Sequence, residues 1–144
     1  MQTPNATRKA AKDNITAATA RLMMRYGFFA GPLLRKRAIE REDLPTLATD
    51  GKDLFYNPAY VASLSVQETM SALVHEVCHD VLLHSQRQGT RKQQPWNVAC
   101  DKCCNAVVKE MGLPVPSEWI QPVHNSTAEA LYKEEDDNGG RGGD

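Results

Sequence analysis

Two histidines four residues apart, inside an otherwise apolar helical stretch, constrain this chain more than any other feature. Ser65-x-x-Glu68 matches a capping box, in which each side chain satisfies a free backbone N–H of the other's residue. Met70, Leu73, Val74, Val77, Val81 and Leu82 follow at helical steps, without proline or glycine. The pattern predicts a helix over 65–85. Within it, His75 and His79 lie on one face, about 6 Å apart along the axis. An apolar helix of this kind packs in the interior. The fold must therefore bring polar partners to both imidazoles and to Glu76.

Residues 75–79 read His-Glu-Val-Cys-His, the pattern H-E-x-x-H. Two imidazoles so placed can bind one zinc ion, with Glu76 beside them as a general base that does not itself ligate. Zinc lowers the pKa of a bound water toward about 7, which makes a nucleophile available at neutral pH. By this chain's own residue frequencies the motif arises by chance on the order of 1% of the time, so its setting has to decide. The alternative is a pair of core histidines hydrogen-bonded to backbone.

A catalytic zinc site keeps three protein ligands and one open position. Two residues compete for the third ligand. His84 lies five residues past His79, and a continuous helix turns it about 140° away from the shared face. No glycine between them breaks the helix, so His84 is expected to point elsewhere, as a residue behind the ligands or on the substrate side. Asp101 lies 22 residues past His79, in the next predicted helix, after a polar loop long enough for a reversal. Asp101 is therefore the expected third ligand, with His84 the less favoured choice. Asn105, one turn on, is expected to orient a ligand imidazole. Asn97, Asp101 and Asn105 form a polar stripe whose ordinary reading is a solvated helix face.

The rest of the chain organises around this segment. Residues 5–26 are Ala-rich, with Ile15, Ala18, Leu22 and Tyr26 at helical steps, and read as an amphipathic helix ended by Gly27. Residues 27–32 read as a turn whose two aromatics, Phe28 and Phe29, pack inward. Residues 33–40 and 46–49 read as strands. Asp50-Gly51 is a turn signal before a third strand over 53–57. Residues 59–64 read as a helical turn, 86–95 as a polar loop, and the next helix starts at Pro95 or Asn97 and runs to Met111. Residues 113–125 read as extended and 126–132 as a short helix. The acidic, Gly-rich end, 133–144, reads as disordered.

Net charge is −1, which excludes a globally basic nucleic-acid binder. Residues 1–41, however, hold nine Lys/Arg against Asp13 and Glu40, a surplus that suits phosphates or an acidic partner as well as a solvated face. The N-terminus is polar, with no apolar export segment, and no run approaches the ~20 apolar residues of a membrane span. The expectation is a cytoplasmic chain with no membrane partner. In that setting Cys78, Cys100, Cys103 and Cys104 are expected to be reduced and buried on helices. Half of a zinc knuckle from Cys100 and Cys103, joined by Cys78, is the alternative.

The runs LFYNPAYVASLSVQETMSALVHEVCHDVLLH and WNVACDKCCNAVV resemble the bacterial and phage putative metallopeptidase domains often found fused to a von Willebrand A-like domain, which themselves resemble zincins. The likeness covers roughly residues 20–132. The Lys-Cys-Cys run before Asn105 departs from the aliphatic residues usual there. The resemblance implies a zincin-like α+β domain over 1–132 that hydrolyses peptide or protein substrates, with a separate von Willebrand A-like or ATPase partner. It further implies an edge strand that aligns the peptide, here Leu54, Phe55, Tyr56 and Asn57. His124 is the candidate to stabilise an oxyanion. Two other functions fit the residues: a non-catalytic zinc-stabilised binding or adaptor module, and a nucleic-acid-associated protease docked through its basic first third.

Overall fold

A computed structural model describes residues 3–136. The last eight residues of the segment expected to be disordered, 137–144, lie outside the described residues. The first long helix, α1 (Asn5–Arg25), buries Ala11, Ala18 and Leu22 along one stripe. Small alanines let it lie close to its neighbours. Asn14 Nδ2 donates to the carbonyls of Val61 and Leu64, both at 3.0 Å. Tyr26 Oη donates to the Met111 carbonyl at 2.6 Å, which ties the end of α1 to the far end of a later helix.

Residues 27–34 fold differently from the expectation. A 3₁₀ turn (Gly27–Phe29) runs into α2 (Ala30–Leu34). Consecutive residues on a 3₁₀ turn point apart, so Phe29 is buried while Phe28 is 72% exposed. Leu33 and Leu34 are helical, and the predicted strand over 33–40 shortens to β1 (Arg37–Glu40). Two apolar residues followed by three basic ones, Leu33 to Arg37, suit a helical turn better than a period of two.

Strands β2 (Leu47–Thr49) and β3 (Asp53–Tyr56) complete a three-stranded sheet of order β1-β3-β2. β1 runs parallel to β3 (Ala38 opposite Leu54), and β2 runs antiparallel to it (Ala48 opposite Phe55). The Asp50-Gly51 turn joins β2 to β3. Asp50 Oδ1 accepts from the N–H groups of Lys52 and Asp53, and Gly51 takes φ +88°, a conformation that costs glycine nothing.

Asn57 then caps α3 (Pro58–Ala62), accepting from the N–H groups of Ala59 and Tyr60. The capping box opens α4 (Val66–Val81), with Glu68 N–H on Ser65 Oγ at 3.0 Å and Ser65 N–H on Glu68 Oε1 at 2.9 Å. Every residue from Thr69 to Cys78 is buried, because α4 is packed between α1 and α6 (Gln93–Glu110). Two polar members of that run are satisfied by carbonyls: Thr69 Oγ1 donates to Ser65 at 2.9 Å and Ser71 Oγ to Pro114 at 2.6 Å. α6 starts earlier than predicted, since Pro95 in a first turn lacks only an N–H that would have no helical partner.

α4 also ends earlier than predicted, at Val81 rather than Ser85. Leu83 adopts φ +56°, ψ +37°, and a short α5 (His84–Arg87) follows. Arg87 Nη1 caps the break by donating to the Leu82 carbonyl at 2.7 Å. A last short helix, α7 (Ala128–Leu131), packs on α6. Residues 133–136 form a turn that ends with Asp136 beside Lys102. Among the described residues no helix is long and apolar enough to cross a membrane.

Candidate metal centre

The four-residue spacing on α4 places His75 and His79 with Nε2 atoms 3.1 Å apart. α6 crosses them so that Asp101 Oδ1 lies 3.1 Å from His75 Nε2 and 3.2 Å from His79 Nε2. Ligand atoms around a tetrahedral zinc with bonds of 2.0–2.1 Å stand about 3.3 Å apart. The three atoms therefore already form one face of such a tetrahedron. His75 and Asp101 are wholly buried. Apart from the two imidazoles, no donor among the described residues reaches either Asp101 oxygen. A buried carboxylate with so few donors fits a cation.

Asn105 determines which nitrogen of His75 faces the cluster. Its Nδ2 donates to the Ile120 carbonyl at 2.7 Å, which leaves Oδ1 to accept from His75 Nδ1 at 2.7 Å. In the neutral ring the proton then sits on Nδ1, and the Nε2 lone pair points at His79 and Asp101. The Trp119 ring packs edge-on against His75, with centroids 5.6 Å apart, and holds it from the other side.

Electrostatics follow from this burial. Desolvation favours neutral His75, but Asp101, Glu76 and Asn105 outweigh it and hold the imidazole up at about 9. Burial likewise raises Asp101, yet the two imidazoles keep it below the usual carboxylate range. Glu76 is also buried, with Oε2 4.0 Å from His75 Nε2.

His84 does not point away. The left-handed Leu83 turns the chain back and brings His84 Nδ1 to 3.1 Å from His79 Nδ1. Trp96 Nε1 fixes it there by donating to the His84 carbonyl at 2.8 Å. Cys104 Sγ completes the corner, 3.6 Å from His79 Nδ1 and 3.8 Å from His84 Nδ1. His79 thus stands between two clusters and faces each with a different nitrogen. Burial, then His79 and Arg87, push His84 down to about 3, and burial with Cys78 raises the Cys104 thiol well above its usual value.

A cavity of about 440 Å³ opens beside His79 and His84, walled by Thr49, Asp50 and Gly51 on one side and Trp96, Asn97 and Cys100 on the other. Of the three triangle residues, only His79 lines it.

The predicted substrate strand is not an edge. β3 is the central strand, Leu54 and Tyr56 are core residues, and Asn57 is spent on capping α3. Phe55 lies under the Arg41 guanidinium. The edge strand packed against α4 is β2. His124 is also placed elsewhere, paired with Glu110 at the far end of α6, about 13 Å along the helix from Asp101.

The chain belongs to the family described as a putative metallopeptidase domain. Its profile matches residues 10–143. No curated protein and no solved structure matches the chain. The His75, His79 and Asp101 cluster is consistent with the metal that such a description implies.

Sequence reasoning treated Cys104 as packing and did not single out Trp119. Cys104 was within reach of the helical-face argument, being three residues after Asp101 and one before Asn105. Cys100 and Cys103 instead pack with Trp96, Ala99 and Ala128 in a smaller apolar cluster. In the basic first third, Arg8, Lys9, Lys36, Arg37 and Arg41 are held in ion pairs with Glu40, Asp13, Asp80, Asp53 and Asp43.

Proposed function

We propose that this chain is a zincin-like, zinc-dependent peptidase. The observation that carries the proposal is the buried triangle of His75 Nε2, His79 Nε2 and Asp101 Oδ1, with its edges of 3.1–3.2 Å. His75, His79 and Asp101 would hold the ion, and Asn105 would keep His75 in the ligating tautomer. A zinc ion there supplies Lewis acidity, which makes water nucleophilic near neutral pH and polarises a carbonyl.

The chain's own residues do the rest. Glu76 takes a proton from the attacking water on a carboxylate oxygen and returns it to the departing amine nitrogen as the C–N bond breaks. Substrate enters by the cavity beside His79. In the antiparallel register, the ladder bonds from Asn57 N–H to the Thr46 carbonyl and from Asp50 N–H to the Asp53 carbonyl turn the N–H and C=O groups of Leu47 and Thr49 outward. An extended peptide adds to that edge of β2, beside the cavity.

The deciding experiment compares wild type with Glu76→Gln and Asp101→Ala. The expected result is zinc retained at the triangle and peptide hydrolysis reduced 10²–10⁴-fold in Glu76→Gln, and zinc lost from the triangle in Asp101→Ala. Hydrolysis that survives Glu76→Gln would remove Glu76 as the base, and zinc-loaded wild type that hydrolyses no peptide would leave a zinc-stabilised binding module instead.

A further inference from the structure

The second cluster has the geometry of a metal site in its own right. Zinc bonds of about 2.3 Å to sulfur and 2.0–2.1 Å to nitrogen put tetrahedral ligands about 3.6 Å apart for S···N and about 3.3 Å for N···N. Cys104 Sγ stands 3.6 Å and 3.8 Å from the Nδ1 atoms of His79 and His84, which are 3.1 Å from each other. All three donors come from separate positions in the fold: the middle of α4, the turn after it, and α6. His84 and Cys104 are 3% and 0% exposed.

Bringing His84 there has a conformational cost. Leu83 is a non-glycine residue in the left-handed region, a state that costs roughly 1–2 kcal/mol for an L-residue. Such strain persists where the surroundings over-determine it, and it gathers at functional sites. Here the surroundings are the Arg87 and Trp96 hydrogen bonds to the carbonyls on either side of Leu83.

We propose that this chain binds a second zinc ion through His79 Nδ1, His84 Nδ1 and Cys104 Sγ, so that the His79 ring bridges two ions through its opposite nitrogens. The site shares His79 with the peptidase centre proposed above but does not depend on hydrolysis. Its fourth position faces the cavity that His79 and His84 line, open to water or to a donor atom of a ligand. Two imidazole nitrogens and a thiolate select a borderline-soft cation such as zinc over magnesium or calcium. Binding releases the Cys104 thiol proton and the remaining His79 ring proton to solvent. The charges then cancel. Two divalent ions meet the Asp101 and Glu76 carboxylates, the Cys104 thiolate and the His79 imidazolate, so burying the pair carries no net charge.

The test is a stepwise cobalt(II) titration of the full chain, reduced and metal-free, read by absorption and by elemental analysis after desalting. The expected result is two cobalt equivalents, with a near-ultraviolet thiolate-to-cobalt charge-transfer band. Cys104→Ser is expected to remove that band and drop the stoichiometry from two to one. His84→Asn is expected to do the same, which guards against a folding defect peculiar to one variant. Asp101→Asn is expected to lose the other ion and keep the band. That outcome separates failure of the peptidase centre from failure of this site. Binding of a single equivalent to wild type without a thiolate band overturns the proposal. So does a band that survives Cys104→Ser.

Discussion

His75 Nδ1 donates to Asn105 Oδ1 across 2.7 Å, and Asn105 Nδ2 donates in turn to the Ile120 carbonyl. This pair joins α4 to α6 and sets the ligand tautomer at once. Asn105→Ala removes both bonds. Zinc affinity is expected to fall 10–100-fold, the usual cost of losing an imidazole's outer partner. Stability is expected to fall by about 1–3 kcal/mol, because the Ile120 carbonyl loses its donor. Chelator competition measures the first effect and urea denaturation the second. An affinity equal to wild type would show that Asn105 only packs.

The same cluster gives the metal-free protein a pH dependence. His75 titrates near 9 in the folded chain against 6.5 when unperturbed. Its pairing therefore contributes fully below about pH 6.5 and is lost as pH rises through 9. Asp101, held below its ordinary value of 3.8, shows the same interaction from the other end. That contribution is present above pH 3.8 and is lost as pH falls through the lowered value. The urea midpoint of the metal-free chain is expected to fall between pH 6.5 and 9.5, and Asp101→Asn is expected to flatten that slope. A midpoint independent of pH in that window would contradict the charged pair.

Leu83 offers a test of the backbone alone. It is half exposed, at 52%, with φ +56°. Asparagine tolerates the left-handed region, whereas β-branched valine does not. Leu83→Asn is expected to be more stable than Leu83→Val by about 1–2 kcal/mol in urea denaturation. Valine is also expected to disturb the His79–His84 contact, read as a change in their ring proton resonances. Equal stability of the two variants would mean that the turn relaxes without loss.

The long elements were legible because their signals are local. The Ser65/Glu68 box starts α4, Gly27 ends α1, and the Asp50-Gly51 turn sets the last hairpin. H-E-x-x-H and the stripe from Asp101 to Asn105 pointed at the residues that the fold brings together. What could not be read was set by distant parts of the chain. The break at Leu83 depends on the Trp96 and Arg87 hydrogen bonds, and no glycine marks it, so helical geometry sent His84 the wrong way. Strand order is likewise non-local. The pattern over 53–57 says strand but not centre, because the central place is set by β1 and β2 pairing along its two edges.

Beside the metal residues, Lys36 reaches from the end of α2 to pair with Asp80, the residue after His79, and its Nζ also donates to the Gly51 carbonyl at 3.3 Å. The lysine side chain is only 5% exposed and Asp80 26%, so this is not a solvent-screened surface pair. It clamps the β2–β3 turn onto the end of α4, at the wall of the cavity. Lys36→Met removes the cation and strands the carboxylate, a change worth about 3–5 kcal/mol for a fully buried pair and less here. Adding Asp80→Asn removes the stranded charge. The double variant is therefore expected to be more stable than Lys36→Met alone, with a coupling of about 0.5–3 kcal/mol in a double-mutant cycle by urea denaturation. Strict additivity would mean that the two side chains meet without stabilising each other, and that the turn is held to α4 by packing instead.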